Sequence, residues 1–321
     1  MQTPEAQGGG LRVVYVTMVY GRMNRYIESW AARCRLLGVT NLVMATLDAE
    51  AYALCTEHHG QQCVRGGISA LNKYTLLLIA LQMGIDVMWL DFDVFLVRHP
   101  GAALAAAVSP GYDLLMGYDF ESDCLCNGFF YIRSRPSTVN WLFQLLRWLY
   151  DHPFEHDQRA IGAFLNYTEK VAATPEEMPA VPRWHVFDVD STFINFGSWL
   201  GGYEELVLVH FVDGSAFSLY GRSDSDPSIP ESKLKGMRAF AEGADQEESP
   251  MDAFYRPGVA ALPAEELWEV QPHLKLLLDG KRKPKPLQRQ ACGILPSVET
   301  ASTGYGWLAE HGAKAVPPEM Q

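Results

Sequence analysis

Residues 68–100, ISALNKYTLLLIALQMGIDVMWLDFDVFLVRHP, carry the pattern that decides the fold. Residues 68–84 form a strongly apolar helical run that stops at Gly84. The strand VMWL follows and delivers Asp91. Asp91 and Asp93 then flank Phe92, and VFLV returns the chain to apolar residues before Pro100. In an extended chain, residues two apart share a face, so the two carboxylates converge while Phe92 packs on the other side. At about 4 Å and an effective dielectric near 20, they repel by roughly 4 kcal/mol. A proton on one of them, or a divalent cation between them, relieves that cost. Oxygen ligands suit Mg²⁺ or Mn²⁺, and an added imidazole tilts the choice to Mn²⁺. The plainer alternative is a pair of solvated carboxylates capping the turn before Pro100. The apolar flanks on both sides favour the metal mount.

Upstream, LRVVYVTMVY (11–20) reads as a buried strand. A helix follows, with Tyr26, Ile27, Trp30, Ala31, Cys34 and Leu37 on one face and Gly38 as its stop. NLVMATL (41–47) is a second strand, and Asp48 can cap the next helix. Alternation of this kind predicts an α/β domain with a mainly parallel sheet covered by helices on both faces. Ligands bind such sheets beyond the carboxyl ends of the strands, where Asp91 falls.

Downstream, residues 112–119 and 128–134 read as strands, and Ser137 as the cap of a helix over 138–150. Residues 157–165 read as a short helix, and 185–189 and 206–211 as short strands. From about residue 222 the chain turns irregular, with helical patches near 231–241 and 263–279. The expected organisation is a flexible 1–10, a catalytic domain over 11–221, and a C-terminal extension over 222–321.

The 321-residue chain is 48% apolar and carries a net charge of −12, which excludes wrapping of a nucleic-acid backbone. The six cysteines form no CxxC pair, so a zinc site is not expected, and reduced, mostly buried thiols are. The start has neither a basic nor an apolar leader region, and no apolar run reaches about 18 residues, so no transmembrane segment is expected. The chain as written suits the cytoplasm, and a Golgi lumen if it is a trimmed catalytic region.

The residues from Asn72 to Pro100 resemble the core of nucleotide-sugar glycosyltransferases of the GT-A fold, most of all glycosyltransferase family 77, which is related to family 8. The pattern runs on in order through Lys73, Asp91 and Asp93, Asn127-Gly128, Asp157-Gln158 and His210. It implies a GT-A-like, Rossmann-related mixed sheet and a retaining transfer from a UDP-sugar of galactose, xylose or arabinose type to a glycan or glycoprotein acceptor. It further implies Mn²⁺ (or Mg²⁺) held by Asp91, Asp93 and His210, with Lys73 near the phosphates or the sugar. Thr17, Met18 and Val19, in the loop after the first strand, would pack around base and ribose. Asn127, Gly128 and the Gly214 turn would help hold the donor. Asp157, Gln158 and Asp119 are the candidates beside the anomeric carbon. One departure is the run HFVDGSAFSLYGR, which lacks the Lys that family 8 relatives place after this histidine; Arg222 is its possible substitute. Trp184, Trp199 or Tyr203 could supply an acceptor platform. Two competing classes are a haloacid-dehalogenase-type phosphatase with Asp91 as nucleophile and a non-catalytic sugar-nucleotide-binding module.

Overall fold

The computed structural model describes residues 13–66, 71–119, 124–152, 157–167, 179–188, 192–195, 202–211 and 250–279. A seven-stranded sheet lies at its centre, in the order β3-β2-β1-β4-β7-β6-β8. The strands are β1 (Val13–Val19), β2 (Leu42–Thr46), β3 (Cys63–Arg65), β4 (Asp86–Leu90), β6 (Leu114–Asp119), β7 (Cys124–Ile132) and β8 (Trp184–Val186). β3, β2, β1 and β4 run parallel, β7 runs against both β4 and β6, and β8 is parallel to β6. This is the mixed, mainly parallel sheet expected. A second sheet orders β5 (Val94–Leu96), β10 (Leu208–His210) and β9 (Phe193–Asn195).

Side-chain alternation divides the interior. Val13, Tyr15 and Val19 of β1, with Met88 and Leu90 of β4, join a core that includes α1 (Ile27–Leu36) and α2 (Ala49–His59). Val16 of β1, with Val87 and Trp89 of β4, joins a core with α3 (Asn72–Gln82), α5 (Pro136–Asp151) and α6 (Asp157–Phe164). A helix α4 (Gly101–Val108) links β5 to β6. Gly84, at φ +79°, turns the chain from α3 into β4.

Several local expectations change. Pro136 opens α5 ahead of Ser137, and the Thr138 hydroxyl, not Ser137, accepts the Arg135 N–H. Strand β7 starts at Cys124, so Asn127 and Gly128 lie inside it. The helix over 263–279 is two helices, Ala264–Val270 and Pro272–Asp279, because Pro272 cannot continue the first. The patch at 231–241 lies outside the described residues.

The thiol expectation is corrected at one pair. Cys55 and Cys63 form a disulfide, with their Cα atoms 5.9 Å apart. The short link from the end of α2 into β3 brings them together, and the bridge staples the edge strand to its helix. Cys34 and Cys126 are free and buried.

Residues 250–279, expected as part of an appended extension, bury Phe254, Tyr255, Leu267 and Trp268 in the α1/α2 core. Arg33 of α1 holds them there. Its guanidinium donates to the carbonyls of Leu96 and Val97, each at 2.6 Å, and to those of Ala260 and Leu262. Burial pulls its pKa down to about 10, so it stays charged near neutrality.

Replacing Arg33 with Ala strands these buried carbonyls and should cost on the order of 3 kcal/mol. Urea midpoints measure the loss, and limited proteolysis should cut first within 250–279. An unchanged midpoint would remove Arg33 as the clamp. His59 ends α2 beside Trp30, and burial pulls its pKa down to about 4. The unfolded chain therefore binds that proton first, and stability is full above pH 6.5 and declines as pH falls towards 4. The decline in melting temperature across that window should be smaller in His59→Gln.

Candidate metal centre

The site lies past the carboxyl end of β4. Asp91, Phe92 and Asp93 form a tight turn there, not continued strand, closed by the Val94 N–H donating to the Asp91 carbonyl at 3.1 Å. The reason is topological: β4 belongs to the large sheet, while β5 pairs with β10 in the small one, so the chain must break between them. The turn still brings the carboxylates together. One ligand atom from each of Asp91, Asp93 and His210 lies within 4.8 Å of the others.

Asp91 is gripped from the α3 side. Its Oδ1 accepts from the Trp89 indole N–H at 2.6 Å and faces the Lys73 ammonium at 3.2 Å. Lys73 also donates to the Asn127 carbonyl at 2.5 Å and lies over the Trp89 ring at 4.9 Å. The ammonium is buried while the Asp91 side chain is 35% exposed, so the carboxylate, not the lysine, meets incoming ligand.

Asp93 is gripped from the other side. Phe92 stacks on Trp30 with ring centroids 5.5 Å apart. The Val94 carbonyl accepts from Tyr255 Oη at 2.7 Å and from the Trp30 indole at 3.3 Å. Asp93 Oδ1 is 3.3 Å from Nε2 of His210, which β10 carries against β5. Gly128 leaves room for that imidazole, because a Cβ there would overlap the ring.

The electrostatics are those of a crowded corner. Burial pushes the Asp91 carboxyl up, the Lys73 ammonium pulls it down, and Asp93 pushes it up again. Burial opposes charge on His210, but the Cys126 sulfur and the Asp93 carboxylate outweigh it and hold its pKa well above the usual imidazole range. Two carboxylates and an imidazole converging here fit an oxygen-preferring divalent ion such as Mn²⁺ or Mg²⁺.

The other expected residues scatter around this corner. Asp157 opens α6, and its Oδ2 accepts from Tyr74 Oη at 2.6 Å and Asn127 Nδ2 at 2.8 Å. The Gln158 N–H donates to Asp157 Oδ1 at 2.8 Å. Asp119 ends β6 paired with Cys124, and its side chain is outside the described atoms. Thr17, Met18 and Val19 are the last residues of β1 itself, paired with Met44, Ala45 and Thr46, not a loop after it. Thr17 and Val19 are fully buried. Gly214, Arg222 and Trp199 lie outside the described residues. Trp184 pairs with Leu114 at the start of β6, the end of the sheet away from Asp91, so it is no platform for this site. Tyr203 packs on Trp268, with centroids 5.0 Å apart.

Tyr74, Trp89 and Cys126 were missed. A signal existed for Trp89, which lies two residues before Asp91 and so on its face of the strand. Cys126 and Tyr74 read as plain core.

Residues 69–212 match the family model of the nucleotide-diphospho-sugar transferases. That span takes in Lys73, both aspartates, Asn127, Asp157 and His210. No curated protein matches the chain. Among solved structures, the galactosyltransferase LgtC in complex with donor and acceptor sugar analogs aligns at 9% identity and TM-score 0.37, covering 74% of this chain and 97% of that one. The glycosyltransferase GlyE of Streptococcus pneumoniae aligns at 9% identity and TM-score 0.44, covering 87% and 66%. Mouse xyloside xylosyltransferase 1 aligns at 11% identity and TM-score 0.37, covering 62% and 98%.

Gly128→Ala should push His210 out of the corner. Mn²⁺ affinity, measured by calorimetry, should fall by about 10-fold or more. Unaltered affinity would mean that His210 takes no part in holding metal.

Proposed function

We propose that this protein is a glycosyltransferase that moves a sugar from a UDP-sugar to a glycan or a glycosylated protein. The observation that carries the reading is the convergence of Asp91, Asp93 and His210 at the end of β4, inside the span that matches the transferase family. Within that family, the order of motifs from Lys73 to His210 favours the family 77 type, with galactose, xylose or arabinose as the donor sugar. The Asp-Asp-His grouping favours a cation against a diphosphate over a phosphoaspartate mechanism, which has no use for an imidazole at that corner.

Mn²⁺, or Mg²⁺, would neutralise charge developing on the departing diphosphate. Asp91 and Asp93 would hold it as carboxylates and His210 as a neutral ring, each after release of its proton. Lys73 offsets part of the burial cost of the Asp91 carboxylate and joins it to the Asn127 backbone, so α3, β4 and β7 act as one support. Asp157, fixed by Tyr74 and Asn127, and Gln158 beside it flank the sugar. In a retaining front-face transfer the leaving phosphate takes the acceptor's proton, and these side chains orient the anomeric carbon. Of the residues at the end of β1, the half-buried Met18 is the one left open to contact the donor.

No described helix is long and apolar enough to cross a membrane. The Cys55–Cys63 disulfide favours work in an oxidising compartment such as a secretory lumen.

Purified protein with Mn²⁺ and a panel of UDP-sugars should release UDP from one donor. Asp91→Ala and Asp93→Ala should each lower that rate on the order of 100-fold or more. Turnover of phosphomonoesters with a trapped phosphoaspartate would replace the reading with the phosphatase. Donor binding without turnover on any acceptor would leave a binding module.

A further inference from the structure

The His210 ring is addressed on both nitrogens. Nε2 faces Asp93 Oδ1 at 3.3 Å, and Nδ1 faces the Cys126 sulfur at 3.4 Å. Phe129 meets the ring edge-on with centroids 5.9 Å apart, and Gly128 closes the space beneath it. Cys126 is a free thiol, 2% exposed, on β7 opposite Gly117. Among the described residues, its neighbours Leu125, Phe129 and Phe130 enter the two apolar cores, whereas Cys126 joins neither. Its contact with the imidazole is what distinguishes it.

An imidazole that gives the Nε2 lone pair to a cation carries its proton on Nδ1, and that N–H needs an acceptor. Metal-bound histidines usually find a carboxylate, a backbone carbonyl or water there, and the acceptor fixes both tautomer and ring orientation. A sulfur occupies that place here. We propose that Cys126 is the positioning residue for His210: its sulfur accepts the Nδ1–H and keeps Nε2 turned into the corner shared with Asp91 and Asp93. The inference rests on the reading of that corner as a cation site and adds a residue to it.

The test is Mn²⁺ binding without donor or acceptor, followed by electron paramagnetic resonance of the free ion. Wild type, Cys126→Ser, Cys126→Val, Cys126→Ala and Asp93→Ala are compared, with melting temperatures alongside. Valine fills the space without an acceptor, and serine supplies an acceptor in less space. Expected is a loss of affinity of about 10-fold or more in the Val and Ala variants, with Ser within about three-fold of wild type. Should the Ala variant not fold, the near-isosteric Val variant carries the comparison. Wild-type affinity in Cys126→Val would reduce Cys126 to packing and overturn the proposal. So would a Ser variant as weak as Ala. If wild type and Asp93→Ala bind Mn²⁺ equally poorly, the cation reading itself fails and takes this inference with it.

Discussion

Two carboxylates held together at the end of a buried strand are costly, and much of the nearby structure offsets that cost. Asp91 and Asp93 are separated by one residue in a turn that cannot relax, because its two ends belong to different sheets. Lys73 supplies the permanent counter-charge, buried where water would otherwise screen it and ringed by Trp89, Phe130 and Tyr74. His210 supplies the second, with a charge that depends on its proton. A divalent ion bound there would take over the same duty and free that proton, which would tie metal affinity at this corner to pH.

Much of this was legible in residue types. The aspartates stand out because they interrupt an apolar strand, whereas Lys73 enters only through the family resemblance. The alternation of strands and helices along the chain correctly assigns a sheet with two covered faces. What periodicity could not supply was the turn. Two residues apart on an extended strand and two residues apart in a tight turn both bring carboxylates together, and only the departure of β5 to another sheet distinguishes them. The same limit misplaced Thr17 to Val19, which look like a strand end and are one, without the loop expected after the strand.

The cysteines were illegible for a different reason. Spacing says how far apart two thiols lie along the chain, not whether a helix end and an edge strand return to each other. Cys55 and Cys63 bridge, while Cys34, one helix away, is a buried thiol whose pKa burial pushes upward. Cys126 has a third fate, beside an imidazole. The 250–279 helices hid behind a change of composition. Their charged and turn-rich surroundings resemble a tail, yet Tyr255 and Trp268 are buried in the core with α1 and α2.

That last point bears on the chemistry. Asp91 is held from the α3 side by Trp89 and Lys73. The turn that carries Asp93 is held from the opposite side, through Phe92 on Trp30, Tyr255 on the Val94 carbonyl and Arg33 on the carbonyls of Leu96 and Val97. The two carboxylates are one residue apart in sequence but answer to separate cores on separate faces of the sheet. Spacing between them is therefore set by the sheet as a whole. Loosening helices 250–279 should move Asp93 and leave Asp91 in place. A cation tolerates such a shift poorly, because its ligand distances are fixed to within a few tenths of an ångström. Residues 250–279 thus belong mechanically to the corner where Asp91, Asp93 and His210 meet, although they add no carboxylate or imidazole to it.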